Sequence, residues 1–202
     1  MKLAGYQLVF VAVCLIGVLL IATPALGGVI RLPGGEQFSE LYLLGPEQMA
    51  SNYPFNVTVG QNYSLYVGVG NHLGSSAYYA LYIKLQNQTD FLPNATTGET
   101  SPLQPLYEYR FFVQEGKTWE APLTFSISEA STNANQSLIK RLSINNDVID
   151  VNKIATWDSN TTTYSYTLLV ELWAYNIQSN SIEYNNRFVC LRLNFTSNAM
   201  PV

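Results

Sequence analysis

The sequence predicts an all-β protein: an immunoglobulin-like antiparallel β-sandwich preceded by a single N-terminal transmembrane helix. Three observations carry this reading. From Phe38 onward apolar residues alternate with polar ones at period two, the spacing of a strand with one face buried. Turn residues interrupt that alternation at short intervals, as an all-β domain requires. Ahead of both stands one long apolar run. The composition agrees, since 48% of the 202 residues are hydrophobic and only 12% charged. That mixture is too apolar for a disordered chain. Ten Lys plus Arg against fourteen Asp plus Glu leave a net charge of -4, which provides no basic surface for phosphates, so no nucleic-acid partner is expected.

Between Lys2 and Arg31 no acidic or basic side chain occurs, and Leu8 to Ala22 is almost continuous Val, Leu, Ile, Ala and Phe. About 20 such residues cross a hydrocarbon core of roughly 30 Å. Residues 1–30 therefore read as an anchor that meets membrane lipid through residues 6–26, residues 31–37 as a linker, and residues 38–198 as the extracytoplasmic domain. A cleaved signal peptide is the alternative, with Lys2 as its basic start and Ala25-Leu26-Gly27 as its cleavage site. Either version exports the remainder of the chain. Seven Asn-x-Ser/Thr sequons point the same way: Asn56, Asn62, Asn87, Asn94, Asn135, Asn160 and Asn194. The first six are the expected glycosylation sites, and Asn194 is set apart because it lies inside an expected strand. Cys14 and Cys190 are too far apart in kind of segment to form a disulfide framework.

Tyr63, Leu65, Val67 and Val69 form one apolar face, and Ala77, Tyr79, Leu81, Ile83 and Leu85 another. The cleanest alternation is Tyr164, Tyr166, Leu168, Val170, Leu172 and Ala174, with Val189, Leu191, Leu193 and Phe195 as its partner. Tyr107 to Val113 and Trp119 to Ile127 read as further strands. Pro93, Gly98, Pro102 and Pro105 make Leu92 to Pro105 a long surface loop, and Ser128 to Gln136 reads as a second. Leu138 to Val151 is compatible with a helix, although Asn146-Asp147 between apolar runs favours a hairpin. Gly45-Pro46 marks a sharp turn, Tyr53-Pro54 an extended segment, and Gly60 a turn with positive φ.

Glu40-Leu-Tyr-Leu-Leu-Gly-Pro-Glu47, Tyr53-Pro-Phe-Asn-Val-Thr-Val-Gly60 and Tyr66-Val-Gly-Val-Gly-Asn-His72 together resemble the archaeal domain of unknown function 1616. Glu171-Leu-Trp-Ala-Tyr175 and Asn185-Asn-Arg-Phe-Val189 are similar to the later part of the same family. The resemblance implies a membrane protein with an extracytoplasmic β-domain and supplies no catalytic residues.

No catalytic residue, cofactor or metal ligand is expected. His72, the only histidine, lies in a Gly/Ser turn without a nucleophile elbow nearby. Asp147, Asp150, Asn152, Asp158 and Asn160 offer oxygens, but their spacing matches no calcium loop and suits turn-forming side chains better. Glu171 is expected on an exposed face, paired with Arg187 or Arg192. Tyr66, Tyr78, Tyr82, Trp173 and Tyr175 fall opposite the core stripes and form the candidate interaction face. The expected protein is a non-enzymatic, glycosylated surface protein contacting envelope proteins or glycans. Its alternatives are an accessory single-span subunit of a membrane complex and a secreted carbohydrate-binding module.

Overall fold

The structure, a computed structural model, describes residues 6–18 and 36–196. The chain divides into two compact units, Met1–Gln37 and Phe38–Val202. In the first, residues 6–18 form a helix, as expected of an apolar run that contains no proline. Among the described residues no helix is long and apolar enough to cross a membrane. Residues 1–5 and 19–30 of the expected anchor, with the alternative cleavage site, residues 31–35 of the expected linker and residues 197–198 of the expected domain lie outside the described residues.

Among the described residues the second unit has ten strands: β1 (Phe38–Leu44), β2 (Asn56–Val57), β3 (Tyr63–His72), β4 (Ala77–Gln86), β5 (Tyr107–Val113), β6 (Thr118–Thr132), β7 (Gln136–Ile144), β8 (Asp147–Asp158), β9 (Thr163–Asn176) and β10 (Ser181–Phe195). One layer runs β1-β3-β6-β7-β8. The other runs β5-β4-β9-β10-β2, antiparallel except where β2 joins β10 in parallel. The layers are continuous because β8 pairs with β7 through Thr156 and then, at Trp157 and Asp158, with Tyr164 and Thr163 of β9. The sheet thus curls back on itself.

The period-two pattern fixes which side chains meet inside. Leu65, Val67 and Val69 of β3 belong to one buried cluster with Leu81, Ile83 and Leu85 of β4 and Leu168, Val170 and Leu172 of β9. Successive strand residues point to opposite faces, so each of these sequences places every second side chain between the layers. Tyrosines tie the layers together at their polar ends. The Ser39 and Tyr79 hydroxyls are 2.8 Å apart, Tyr109 donates to the Pro122 carbonyl at 2.8 Å, and Tyr166 donates to that of Ser137 at 2.9 Å. Phe111 of β5 lies flat on Trp119 of β6, with ring centroids 3.6 Å apart.

Two local expectations are corrected or sharpened. The expected loop from Ser128 to Gln136 is mostly strand: β6 continues to Thr132, and irregular register between Ile127 and Ala130 absorbs its broken alternation. Leu138 to Val151 is the hairpin and not the helix, with Asn145 and Asn146 both at positive φ in the turn.

The turn after β1 depends on glycine for space. Gly45 is buried, its N–H donates to the Met49 carbonyl at 2.8 Å, and its carbonyl accepts from Gln48 at 3.0 Å. A Cβ on Gly45 would stand 1.9 Å from the backbone oxygen of Ser51. Gly45→Ala is therefore expected to destabilise the domain by roughly 1–3 kcal/mol, the usual cost of forced overpacking. Denaturant unfolding should show a lower midpoint at unchanged slope, and an unchanged midpoint would refute the steric argument.

Candidate functional site

The outward side chains of the β5-β4-β9-β10 layer can be followed row by row from the register. Tyr78 is paired with Phe112, and on its other side falls level with Tyr175, which pairs with Ile182. The next row is Arg110, Ala80, Trp173 and Tyr184, and the one after it holds Glu108, Tyr82, Glu171 and Phe188. Ring contacts bind the rows: Tyr78 to Phe112 at 4.6 Å, Tyr82 to Trp173 at 5.2 Å and Trp173 to Tyr184 at 5.9 Å between centroids. Phe112 remains 75% exposed, so the first row is open to solvent.

From the third row downward the same face is closed. Lys84 and Glu171 point outward from the sheet yet are 3% and 0% exposed. Residues 87–106, between β4 and β5, lie across them. Lys84 Nζ donates to Glu171 Oε2 and to the Ser101 carbonyl, both at 2.8 Å. The Ser101 N–H donates to Glu171 Oε1 at 2.8 Å, and Trp173 Nε1 to Glu171 Oε2 at 3.2 Å. Gln86 Nε2 completes the fastening with the Phe91 carbonyl at 2.7 Å. Buried charges persist only when paired and hydrogen-bonded, and each oxygen of this carboxylate has a donor.

Beside the pair, Tyr184 has a buried hydroxyl with no hydrogen-bond partner among the described residues. Burial, reinforced by the Glu171 carboxylate, pushes that phenol up to about 12, with Arg187 opposing. Burial likewise pushes Tyr109 up to about 12, against the lowering bond from Asn145. Tyr82 is raised by burial and then by Glu108.

The structure brings together four of the five expected face residues, Tyr78, Tyr82, Trp173 and Tyr175. Tyr66 does not join them: it pairs with Leu44 and Pro122 in the opposite layer, where its alternation is the same but its neighbours differ. Glu171 is corrected more sharply, being buried against Lys84 and not exposed against an arginine. Arg187 instead donates to the Ser39 carbonyl, and Arg192 to Ser165 with Asp158 at 3.8 Å. His72 is half-exposed, stacked on Phe38 at 4.7 Å with Nε2 3.6 Å from Glu40. Asp158 accepts from the N–H of Asn160 at 2.9 Å, which makes the Asx turn expected there. Among the described residues no three His, Cys, Asp or Glu side chains form a metal-sized group. Phe112, Arg110 and Tyr184 belong to the face but were not legible as such, because only pairing sets them beside Tyr78 and Trp173.

Fold and face define a two-layered β-domain with an aromatic outer surface. Residues 32–139 match the family described as domain of unknown function (DUF1616), and the chain belongs to that family. Comparison with the curated proteins finds no match. Solved structures show only a distant likeness. The CARDB domain of a Pyrococcus furiosus protein, crystallised with di-metal ions, is 8% identical with a TM-score of 0.42, over 82% of this chain and 94% of that one. A β-glucosidase of Listeria innocua in complex with isofagomine is 9% identical with a TM-score of 0.37, over 82% of this chain but 17% of the enzyme. The sporulation control protein Spo0M of Bacillus subtilis is 12% identical with a TM-score of 0.36, over 80% of this chain and 49% of that one.

Removing one member of the buried pair should leave the other uncompensated. Lys84→Met and Glu171→Leu are each expected to cost about 3–5 kcal/mol, whereas the double replacement should recover much of that loss. Denaturant melts of the four proteins test this, and strictly additive losses would contradict it. The tyrosines give an alkaline signature. Tyr109 and Tyr184 have folded values near 12 against an ordinary value of 10.0, so their neutral forms stabilise the fold fully below pH 10. That contribution should vanish between about pH 10 and 12. Stability measured across this window should fall less steeply in Tyr109→Phe/Tyr184→Phe than in the parent, and identical slopes would refute the assignment.

Proposed function

We propose that this chain is a membrane-anchored, N-glycosylated cell-surface protein without catalytic activity. Its β-domain, read as immunoglobulin-like, contacts envelope proteins or glycans through the outer aromatic rows. The membrane attachment is ascribed to residues 6–26 and rests on the uncharged apolar run that contains them. The sequons support an extracytoplasmic setting for the domain. The observation that carries the contact function is the row Phe112, Tyr78, Tyr175 and Ile182, continued by Trp173, Tyr184 and Tyr82. Rings on a rigid sheet offer large contact area while losing little side-chain entropy, and their faces suit sugar C–H groups and protein side chains alike.

The experiment compares the full chain with Tyr78→Ala/Tyr175→Ala and with Tyr66→Ala, whose ring lies in the opposite layer. Isolated envelope polysaccharide and immobilised envelope protein are the two probes. The double variant is expected to bind one of them about tenfold more weakly, a loss of about 1.4 kcal/mol, with Tyr66→Ala unchanged. Equal binding by all three proteins, or no binding to either probe, would refute this reading.

A further inference from the structure

The seven sequons are not equivalent once folded, and the register shows where each stands. The domain begins at Phe38, which pairs with His72, so this end of the sandwich carries residues 73–76, 114–117 and 176–181. No sequon falls there. At the other end Tyr63 pairs with Phe125, Gln86 with Thr167, Tyr164 with both Trp157 and Phe195, and Asn194 with Asn56. Asn56, Asn62, Asn87, Asn135, Asn160 and Asn194 gather at that end, while Asn94 rides on the segment covering Lys84 and Glu171.

An acceptor asparagine must offer a free carboxamide nitrogen in a chain segment that can leave the surface with its hydroxyl residue. Asn56 and Asn194 are locked to each other in paired strands, with the Asn194 carboxamide donating to Asn56 at 3.3 Å. Asn62 precedes Tyr63 and Ser64, both paired in β3. Asn135 is followed by Ser137, which is 0% exposed in β7. Asn87 lies in a turn but is fully engaged: its nitrogen donates to the Ile154 carbonyl at 2.7 Å, and its oxygen accepts from Thr89 and Asp90. Asn160 differs from all of these because its whole sequon, through Thr162, lies in the exposed turn 159–162; the carboxamides of Asn62 and Asn135 are as unbonded as its own among the described residues, but their hydroxyl residues are held in paired strands. Asn94 also differs, because Asn94 and Thr96 are exposed on the turn 94–98 and only the carboxamide oxygen is used, accepting from Thr96 and Thr97.

We propose that the folded domain presents two glycan acceptors, Asn94 and Asn160, and withholds the other five sequons. This rests on the proposed exported setting of the domain and adds which residues are modified. The donor is a lipid-diphosphate-linked oligosaccharide. The carboxamide nitrogen forms a bond to the anomeric carbon and loses one proton, while the bond from that carbon to the diphosphate breaks and the lipid diphosphate leaves with the electron pair. Neither acceptor is itself a residue of the aromatic rows.

The test is site-resolved glycopeptide mass spectrometry of the full chain, made in an exporting host that glycosylates asparagine, with external protease shaving of intact cells in parallel. Occupancy at Asn94 and Asn160 is expected to exceed that at each other sequon at least about fivefold, and Asn94→Gln/Asn160→Gln should remove most of the attached mass. Occupancy spread evenly, or concentrated at Asn87 or the strand sequons, overturns the proposal. A sugar-free chain cut by external protease overturns it while leaving export intact, and a sugar-free chain protected from protease overturns both.

Discussion

The outer face of the β4-β9 layer depends on one constraint: a lysine and a glutamate are held where water cannot reach them. Isolated, either charge would be prohibitively costly in such a place. The pair survives because Ser101 satisfies both partners at once, accepting from Lys84 through its carbonyl and donating to Glu171 through its N–H. The covering segment is therefore fixed at its middle and not merely at its ends. A connection of this length without strands of its own would otherwise be expected to move freely. Such a pair contributes little net stability compared with apolar residues of the same volume, so its effect is better described as positional. It determines which half of the sheet face is covered and which half is left open.

The curl of the sheet determines the rest. Because β8 serves both layers, the strands on either side of it cannot slide relative to each other without breaking the Trp157 to Tyr164 pairing. The direct pairing of β9 with β4 on one side and β10 on the other sets the rows, and so places Trp173 between Tyr82 and Tyr184. A one-residue slip would turn the aromatic rows inward and expose the core. The buried cluster and the open rings are two sides of one register.

Much of this was legible in the sequence. Alternation alone identified β3, β4, β9 and the end of β10, because each has one face in the core and a strand keeps period two whatever it pairs with. Pairing was legible between neighbours in sequence, as for β9 with β10 and β7 with β8, but not between strands remote in the chain, and that decided the errors. Glu171 alternates correctly as outward, but an outward residue is exposed only if nothing crosses over it, and the proline-rich segment that does so is remote in sequence. Lys84 offered the missing signal, a single cation among aromatic outward residues of β4. Tyr66 was grouped with Tyr78 on pattern, yet pattern carries no information about which layer a strand joins. The bulged part of β6 failed for the opposite reason: its alternation really is broken, and the partner strand β7 maintains the ladder around the break.

Asparagine has two separate uses in this chain. Among the described residues eight non-glycine positions have positive φ, and six of them are asparagine: Asn52, Asn145, Asn146, Asn152, Asn180 and Asn186. Asparagine tolerates the left-handed region because its short side chain can bond locally to the backbone. Turn geometry thus accounts for a set of asparagines without reference to where the domain resides. None of those six begins a sequon. The asparagines followed by x-Ser or x-Thr are therefore not the ones that left-handed turns require, although Asn87 and Asn94 also serve turns, each accepting backbone N–H bonds from the residues that follow it. What they share is location, since six stand at the end farthest from Phe38 and the seventh on the covering segment. The end near Phe38 has turns of its own at residues 73–76, 114–117 and 176–181, and no sequon falls in any of them.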